Sequence, residues 1–186
     1  MLGQSEKISA QTKYWVEHVV IGLNFCPFAR PVFEQDKIHY QVSDAQSLEC
    51  CLEDLITEVE RLDKKNAIET TLLIYENSLY DFDDFLDVVE IANDLMIERG
   101  YEGVYQLASF HPDYCFADSD EDDPANYTNR SPYPMLHLIR EQSLEHALTH
   151  YKDPEKIPET NVHLAKELGL KKMQSLLEDA LSLKKN

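Results

Sequence analysis

The pattern of apolar and polar positions divides the chain into helical and strand-like stretches. The clearest helix lies in AQSLECCLEDLITEVERLDKK, where apolar residues recur with a period near 3.6. Further helices are expected over about Ser9 to Asn24, in DFDDFLDVVEIANDLMIERG, in QSLEHALTHY and in two closing pieces separated by Gly169. Four strands are expected, in KIHYQV, IETTLLIYENS, EGVYQLASF and PMLHLIRE.

The order of these elements predicts an α/β fold. Helices alternate with the first three strands, which is typical of a parallel core sheet with right-handed crossovers. The fourth strand has no helix before it, so we expect it to return antiparallel beside the third. We therefore predict a single α/β domain over residues 1–186. Its mixed four-stranded sheet would have a parallel core, one antiparallel strand and helices packed on it.

Charge and composition restrict the partners. The chain has 35 acidic and 17 basic residues, a formal net charge of -18. Nucleic acids and anionic membranes bind proteins through Lys and Arg, so neither is an expected partner. No apolar run approaches the roughly 18 residues of a membrane span, and the first residues do not resemble a secretion signal. We expect a cytoplasmic protein, in which Cys26, Cys50, Cys51 and Cys115 are reduced thiols.

One connecting segment, FHPDYCFADSDEDDPANYTNRSPYP from Phe110 to Pro134, concentrates reactive side chains. Connections longer than about 12–15 residues are usually functional or disordered, and the aromatic residues of this one favour order. The segment begins at the carboxyl end of the third strand, where α/β sheets bind ligands. Glu76 and Asn77 are expected on the same rim as substrate-binding residues. We expect a small polar molecule as the ligand.

His111, Asp113 and Cys115 are the candidate catalytic residues of this segment. They alternate, so an extended chain would turn them to one side. Imidazole, carboxylate and thiolate are ligands that a zinc-like ion accepts, which makes a divalent metal a candidate cofactor. The three could instead form a nucleophile site, with His111 as the base for Cys115. A third alternative is structural, with His111 ending the strand and Cys115 packing inside the loop.

Asn129, Arg130 and Ser131 are further candidates for substrate binding. Arg130 could hold a carboxylate or phosphate bidentately, or could balance the aspartates of the segment. Asp122 or Asp123 is expected to cap a short helical turn.

Cys26 in NFCPFAR is a second thiol candidate, with Arg30 beside it. A helix C-terminus raises the pKa of a thiol, whereas a nearby cation lowers it. The first helix precedes the first strand, so its end should lie near the rim opposite His111. A connection of about 11 residues, at roughly 3.3 Å per residue, could still bridge that gap. Cys26 and Arg30 are therefore candidate thiol partners of the site.

Three stretches carry a resemblance to a known family: YWVEHVVIGLNFCPFA, SFHPDYCFADSDEDDPANYTNRSPYPMLHLIRE and ETNVHLAKELGL. They resemble an uncharacterised bacterial family catalogued as domain of unknown function 1415. The resemblance spans nearly the whole chain and implies a single-domain bacterial protein. It implies no activity, so no catalytic residue is carried over from it.

Two classes of function follow. The first is a small-molecule enzyme with a metal or thiol centre in the 111–131 segment. The second is a non-catalytic ligand-binding or protein-interaction module, in which that segment is an ordered structural loop.

Overall fold

The structure is a computed structural model that describes residues 3–149 and 151–183. Its main elements follow along the chain as α1 Gln4–Trp15, α2 Ala29–Glu34, β1 Ile38–Ser43, α3 Leu48–Lys64, β2 Thr70–Tyr75, α4 Phe82–Glu98, β3 Tyr105–Phe110, β4 Met135–Arg140, α5 Glu141–Thr149, α6 Ile157–Leu168 and α7 Leu170–Leu181. A π-helical turn, Val16–Ile21, continues α1, and 3₁₀ turns occupy Pro124–Thr128 and Pro154–Lys156. No helix within the described ranges is long and apolar enough to cross a membrane.

The strands form one mixed sheet in the order β1-β2-β4-β3. β1 and β2 are parallel, and β4 is antiparallel to both of its neighbours, so β1, β2 and β3 all run in the same direction. This confirms the predicted α/β class, the mixed four-stranded sheet and the antiparallel return of β4 beside β3. The insertion of β4 between β2 and β3 was not predicted, and it limits the parallel part to one strand pair.

Alternate strand residues face two separate cores, since successive side chains of a strand point to opposite sides. On the α3 face, the strands pack against α3 and α4 through Leu73, Tyr75, Leu136, Leu55 and Phe85. On the α1 face, they pack against α1, the π-helical turn, α6 and α7 through Leu72, Ile74, Met135, Trp15 and Met173.

The N-terminal helical region differs most from the sequence-based expectation. α1 begins at Gln4 rather than near Ser9, and the carboxylate of Glu6 accepts a hydrogen bond from the Gly3 N–H (2.8 Å). α2 was not expected, because Pro31 lies within it; it is the third helical residue, and proline is tolerated in a first turn. The helix expected in QSLEHALTHY includes His150, which lies outside the described residues.

The π-helical turn depends on Gly22. The Phe25 N–H donates to the carbonyl oxygen of Val20 (2.8 Å), five residues back. A Cβ atom on Gly22 would lie 2.2 Å from the carbonyl oxygen of His18. Because the φ of Gly22 is an ordinary -62°, the requirement for glycine is one of space.

Candidate functional site

His111 is fully buried immediately after β3, and both of its ring nitrogens bond to the main chain. The N–H of Asp113 donates to Nδ1 (3.0 Å). The proton of the neutral ring is therefore on Nε2, which donates to the carbonyl oxygen of Leu79 (2.9 Å). The ring lies 5.1 Å from that of Phe82 and 5.0 Å from that of Phe85. Burial lowers the pKa of His111 and so favours this neutral form.

The chain does not leave His111 in extended form. The Tyr114 N–H donates to the carbonyl oxygen of His111 (3.2 Å) and closes a turn. The thiol of Cys115 donates to the carbonyl oxygen of Ser119 (3.4 Å). Within residues 3–149 and 151–183, no group of three or more His, Cys, Asp or Glu side chains is arranged to hold a metal ion. The metal and nucleophile assignments of His111, Asp113 and Cys115 stay predictions.

Arg130 holds the segment together through main-chain groups. Its Nε donates to the carbonyl oxygen of Tyr114 (3.0 Å), and its Nη2 donates to that of Glu121 (3.0 Å). The guanidinium also lies over the ring of Tyr127, 4.7 Å from its centroid. The two expected roles of Arg130, a clamp for a substrate anion or a counter-ion for the aspartates, stay predictions.

The predicted helical turn after Asp123 is confirmed. The Asp123 carboxylate accepts from the N–H of Ala125 (2.9 Å), and Pro124 occupies the first position of the 3₁₀ turn. Asp123 also pairs with Lys166 of α6 (3.0 Å). Together with the helix-cap bond, this pair lowers the pKa of Asp123. The turn thereby fixes the segment to the C-terminal helices.

Asn126 lies inside the segment and bonds to its main chain. It is fully buried, and its side chain accepts from the N–H of Phe116 (3.1 Å) and donates to the carbonyl oxygen of Asp120 (2.8 Å). A buried amide that satisfies main-chain groups on both sides in this way orders a loop.

The remaining candidate residues lie around the same rim. The N–H of His111 donates to the carbonyl oxygen of Asn129 (3.3 Å). Ser131 is fully buried, and its hydroxyl donates to a main-chain carbonyl two residues on (2.6 Å). Glu76 follows β2, and its carboxylate accepts from the side-chain amide of Asn77 (3.2 Å). Because β2 and β3 run in the same direction, Glu76 and His111 both follow carboxyl ends at one edge of the sheet.

An apolar cavity of about 310 Å³ lies on the α1 face of the sheet, partly open to solvent. Helices α1, α2 and α5, the π-helical turn and all four strands contribute to its walls. Aliphatic and aromatic side chains dominate those walls, among them Trp15, Val20, Phe28, Leu72, Phe110 and Leu144. Its volume lies at the lower end of the range typical of small-molecule sites.

His137 of β4 presents a fixed hydrogen-bond acceptor in this cavity. The hydroxyl of Thr70 donates its one proton to the carbonyl oxygen of Leu138. The contact between that hydroxyl and His137 Nε2 (2.7 Å) must therefore have Nε2 as the donor. Burial lowers the pKa of His137 to about 4, so the ring is neutral near pH 7 and Nδ1 carries a lone pair. In the part of the chain that the structure describes, no group donates to Nδ1.

Trp15 contributes its indole ring to the wall of the same cavity. Only 2% of this residue is exposed, and its indole N–H is buried without a hydrogen-bond partner among the described residues, so the N–H itself does not open onto the cavity. The Trp15 ring meets that of Phe110 edge-on, with centroids 5.2 Å apart, and the ring centroid of Phe110 lies 6.3 Å from that of His137.

A polar recess of about 450 Å³ adjoins the cavity near the amino ends of β1 and β2. The two spaces share Val32, Glu69 and Ser143, and the recess adds Lys37 and Gln142. One carboxylate oxygen of Glu69 is buried and has no hydrogen-bond partner among the residues described. The entrance of the cavity on the side of the recess is therefore lined by polar groups.

Cys26 lines the cavity, whereas Cys115 belongs to the interior of the 111–134 segment. Burial raises the pKa of Cys26, which favours the neutral thiol. Arg30 is exposed and pairs with Glu34 (3.9 Å). The structure thus gives the two thiols different surroundings.

Trp15, Thr70 and His137 were not predicted from the sequence as site residues. The signal that could have indicated Thr70 and His137 is that each is a polar residue within a largely apolar strand. Strand alternation places them on the same face as Leu72 and Ile139.

Comparison with known proteins gave one match. A family model described as "Protein of unknown function (DUF1415)" matches residues 7–175, a range that contains the segment and every residue that lines the cavity. No curated protein and no solved structure matched the chain.

Proposed function

The chain belongs to the DUF1415 family of proteins of unknown function, and we propose that it binds a small, largely apolar molecule in the cavity on the α1 face. In this proposal the 111–134 segment is an ordered structural loop. The observation that carries the proposal is a space of about 310 Å³ with predominantly apolar walls.

The volume is too large to be an incidental packing defect. Protein interiors are close-packed, with few voids larger than a water molecule. The space is partly open to solvent, so its apolar walls contact water when no ligand is present. An apolar ligand would remove those walls from water, at roughly 25 cal/mol for each Å² of apolar surface buried, which favours a space kept for binding.

The polar groups of the cavity support the same function. Small-molecule sites are mainly apolar and contain a few polar groups that fix the orientation of the ligand. His137 is such a group, since it lines the cavity and its Nδ1 lacks a hydrogen-bond partner among the described residues. The adjoining recess supplies the polar groups at the entrance.

The enzyme hypothesis receives less support from the 111–131 segment. A catalytic base needs a free lone pair, and the Nδ1 lone pair of His111 is already bonded to a main-chain N–H. Arg130 and Asn126 are likewise bonded to main-chain groups that lie far apart along the segment. This pattern is typical of a loop held in one conformation.

The test uses Trp15, the one tryptophan in the sequence, as an internal reporter. Toluene titrated into ¹⁵N-labelled protein is expected to shift the indole N–H signal saturably. Ala108→Phe, which places a phenyl ring on the cavity wall, should abolish the shift, because Ala108 lines the cavity.

The matched control is Ala10→Phe, the same substitution at an exposed position of α1. It should bind toluene as the unmodified protein does. Absence of a saturable shift in the unmodified protein, or equal binding by Ala108→Phe, would contradict the proposal.

A further inference from the structure

We propose that the ligand of this cavity is an uncharged, largely apolar molecule with a hydroxyl group, an alcohol or a phenol, whose O–H donates to Nδ1 of His137. The inference rests on the proposed function, because it names the chemical class of the molecule that the cavity holds.

The direction of the hydrogen bonds that end at His137 determines what its free nitrogen can do. The carbonyl oxygen of Leu138 accepts from Thr70, and the hydroxyl of Thr70 accepts from His137 Nε2. This chain fixes the tautomer, so Nδ1 can only accept. The ligand must therefore bring a donor, which a ketone, an ether or a hydrocarbon does not have.

A hydroxyl group donates one hydrogen bond and accepts up to two. It can therefore donate to Nδ1 of His137 and still accept a hydrogen bond from water at the open side of the cavity. The rest of such a ligand would contact apolar walls, among them the rings of Trp15 and Phe110.

The charges around the cavity disfavour an anionic ligand. Arg140 is among the lining residues, but its guanidinium donates to the carbonyl oxygens of Leu62 and Ile68 on the α3 face. Lys37 lines the recess and not the cavity. An anion would therefore enter an apolar space without a cationic partner, beside the carboxylate of Glu69 and in a chain of net charge -18.

A cation is disfavoured for a different reason. An ammonium group could donate to Nδ1 of His137, but its transfer from water into apolar surroundings is costly. Glu69 lies where the cavity meets the polar recess, so pairing with this carboxylate would favour an ammonium group at the entrance over one among the apolar walls.

The experiment compares four molecules that share a phenylethyl body: 2-phenylethanol, its methyl ether, 2-phenylethylammonium and 3-phenylpropanoate. Binding is measured at pH 7 from the Trp15 indole signal. The alcohol is expected to bind roughly two- to tenfold more tightly than the ether, as one net hydrogen bond predicts. The two ions should bind at least tenfold more weakly than the alcohol.

The imidazole itself supplies a second readout that needs no variant. The ¹⁵N signal of His137 Nδ1 should move when the alcohol binds and stay unchanged when the ether binds. In His137→Phe the preference for the alcohol over the ether should disappear, while binding of the ether persists.

The outcomes separate the two proposals. If none of the four molecules and no toluene shifts the Trp15 signal, the proposed function fails. If toluene and the ether bind as tightly as the alcohol, the cavity is a ligand site and the hydroxyl inference is wrong. Binding of either ion as tightly as the alcohol, or an unchanged Nδ1 signal, also overturns it.

Discussion

Nε2 of His137 donates to the hydroxyl of Thr70 across 2.7 Å, from β4 to the neighbouring antiparallel strand β2. The bond joins the two central strands of the sheet within a cavity wall. Burial lowers the pKa of His137 to about 4 and so keeps the ring neutral near pH 7, with its lone pair on Nδ1. The stability of the protein towards acid and the chemistry of the cavity thus depend on the same protonation state.

Acid is expected to destabilise the protein through His137. The unfolded chain binds a proton with a pKa near 6.5, whereas the folded chain binds it only near 4. Between these values the unfolded state holds more protons, so the free energy of unfolding falls as the pH falls. The full shift corresponds to about 3 kcal/mol, of which about 2 kcal/mol is lost by pH 5. Urea unfolding at pH 7 and pH 5 measures this loss of free energy of unfolding.

The variant His137→Phe serves as the comparison. Its loss of stability between pH 7 and pH 5 should be smaller by about 2 kcal/mol. Burial also lowers the pKa of His111, so His111 contributes to the pH dependence of the free energy of unfolding in both proteins. Equal slopes would mean that His137 is not held neutral by the fold.

His111→Ala is expected to lower the free energy of unfolding by about 3 kcal/mol, because it removes a fully buried ring and leaves a partly buried carbonyl and N–H unpaired. His111→Asn should recover part of this loss, since its side-chain oxygen can accept from the N–H of Asp113. Thermal and urea unfolding measure both changes.

The exposed His163 provides the matched control, and His163→Ala should leave stability within about 0.5 kcal/mol of the unmodified value. A His111→Ala protein that is as stable as the unmodified one would point back to a catalytic role for this histidine.

Much of the fold could be predicted because local patterns determine it. The apolar period of α3 places Cys51, Leu55, Val59 and Leu62 on one face, and all four are fully buried. The near-continuous apolar run of β2 predicted a central strand, and β2 indeed has neighbours on both sides. The position of β4 between β2 and β3 is not encoded in any local pattern, because it depends on which strand edges are free.

The candidate site could be predicted only in part. Strand direction placed Glu76 and His111 on one rim, but the roles of side chains depend on groups distant in sequence. His111 bonds to a carbonyl 32 residues away, and no spacing rule indicates that contact. The cavity is harder to predict from the sequence, because Trp15, Leu72 and Leu144 come together only after several helices and strands have packed.

Arg130→Lys is expected to destabilise the protein by about 1–2 kcal/mol. A single ammonium group cannot reproduce the two separate hydrogen bonds and the contact with the Tyr127 ring. The matched control is Arg99→Lys, at an exposed position after α4, for which we expect a change below about 0.5 kcal/mol. If the two variants unfold alike, Arg130 does not order the segment, and a role in binding an anion regains support.

Gly22→Ala is expected to lower the free energy of unfolding, which is the opposite of the usual effect of a glycine-to-alanine change in a helix. Alanine normally stabilises a helix interior by about 1 kcal/mol. At Gly22 its Cβ would lie 2.2 Å from the carbonyl oxygen of His18, so the backbone must shift and the variant should be less stable. The π-helical turn carries Val16 and Val20 into the cavity wall, so the Trp15 signal and toluene binding should change as well.

The matched substitution Glu17→Ala, at an exposed position of the same turn, should alter neither stability nor toluene binding. A stabilised Gly22→Ala protein with unchanged binding would mean that the turn is free to become an ordinary α-helix and that the cavity does not depend on it.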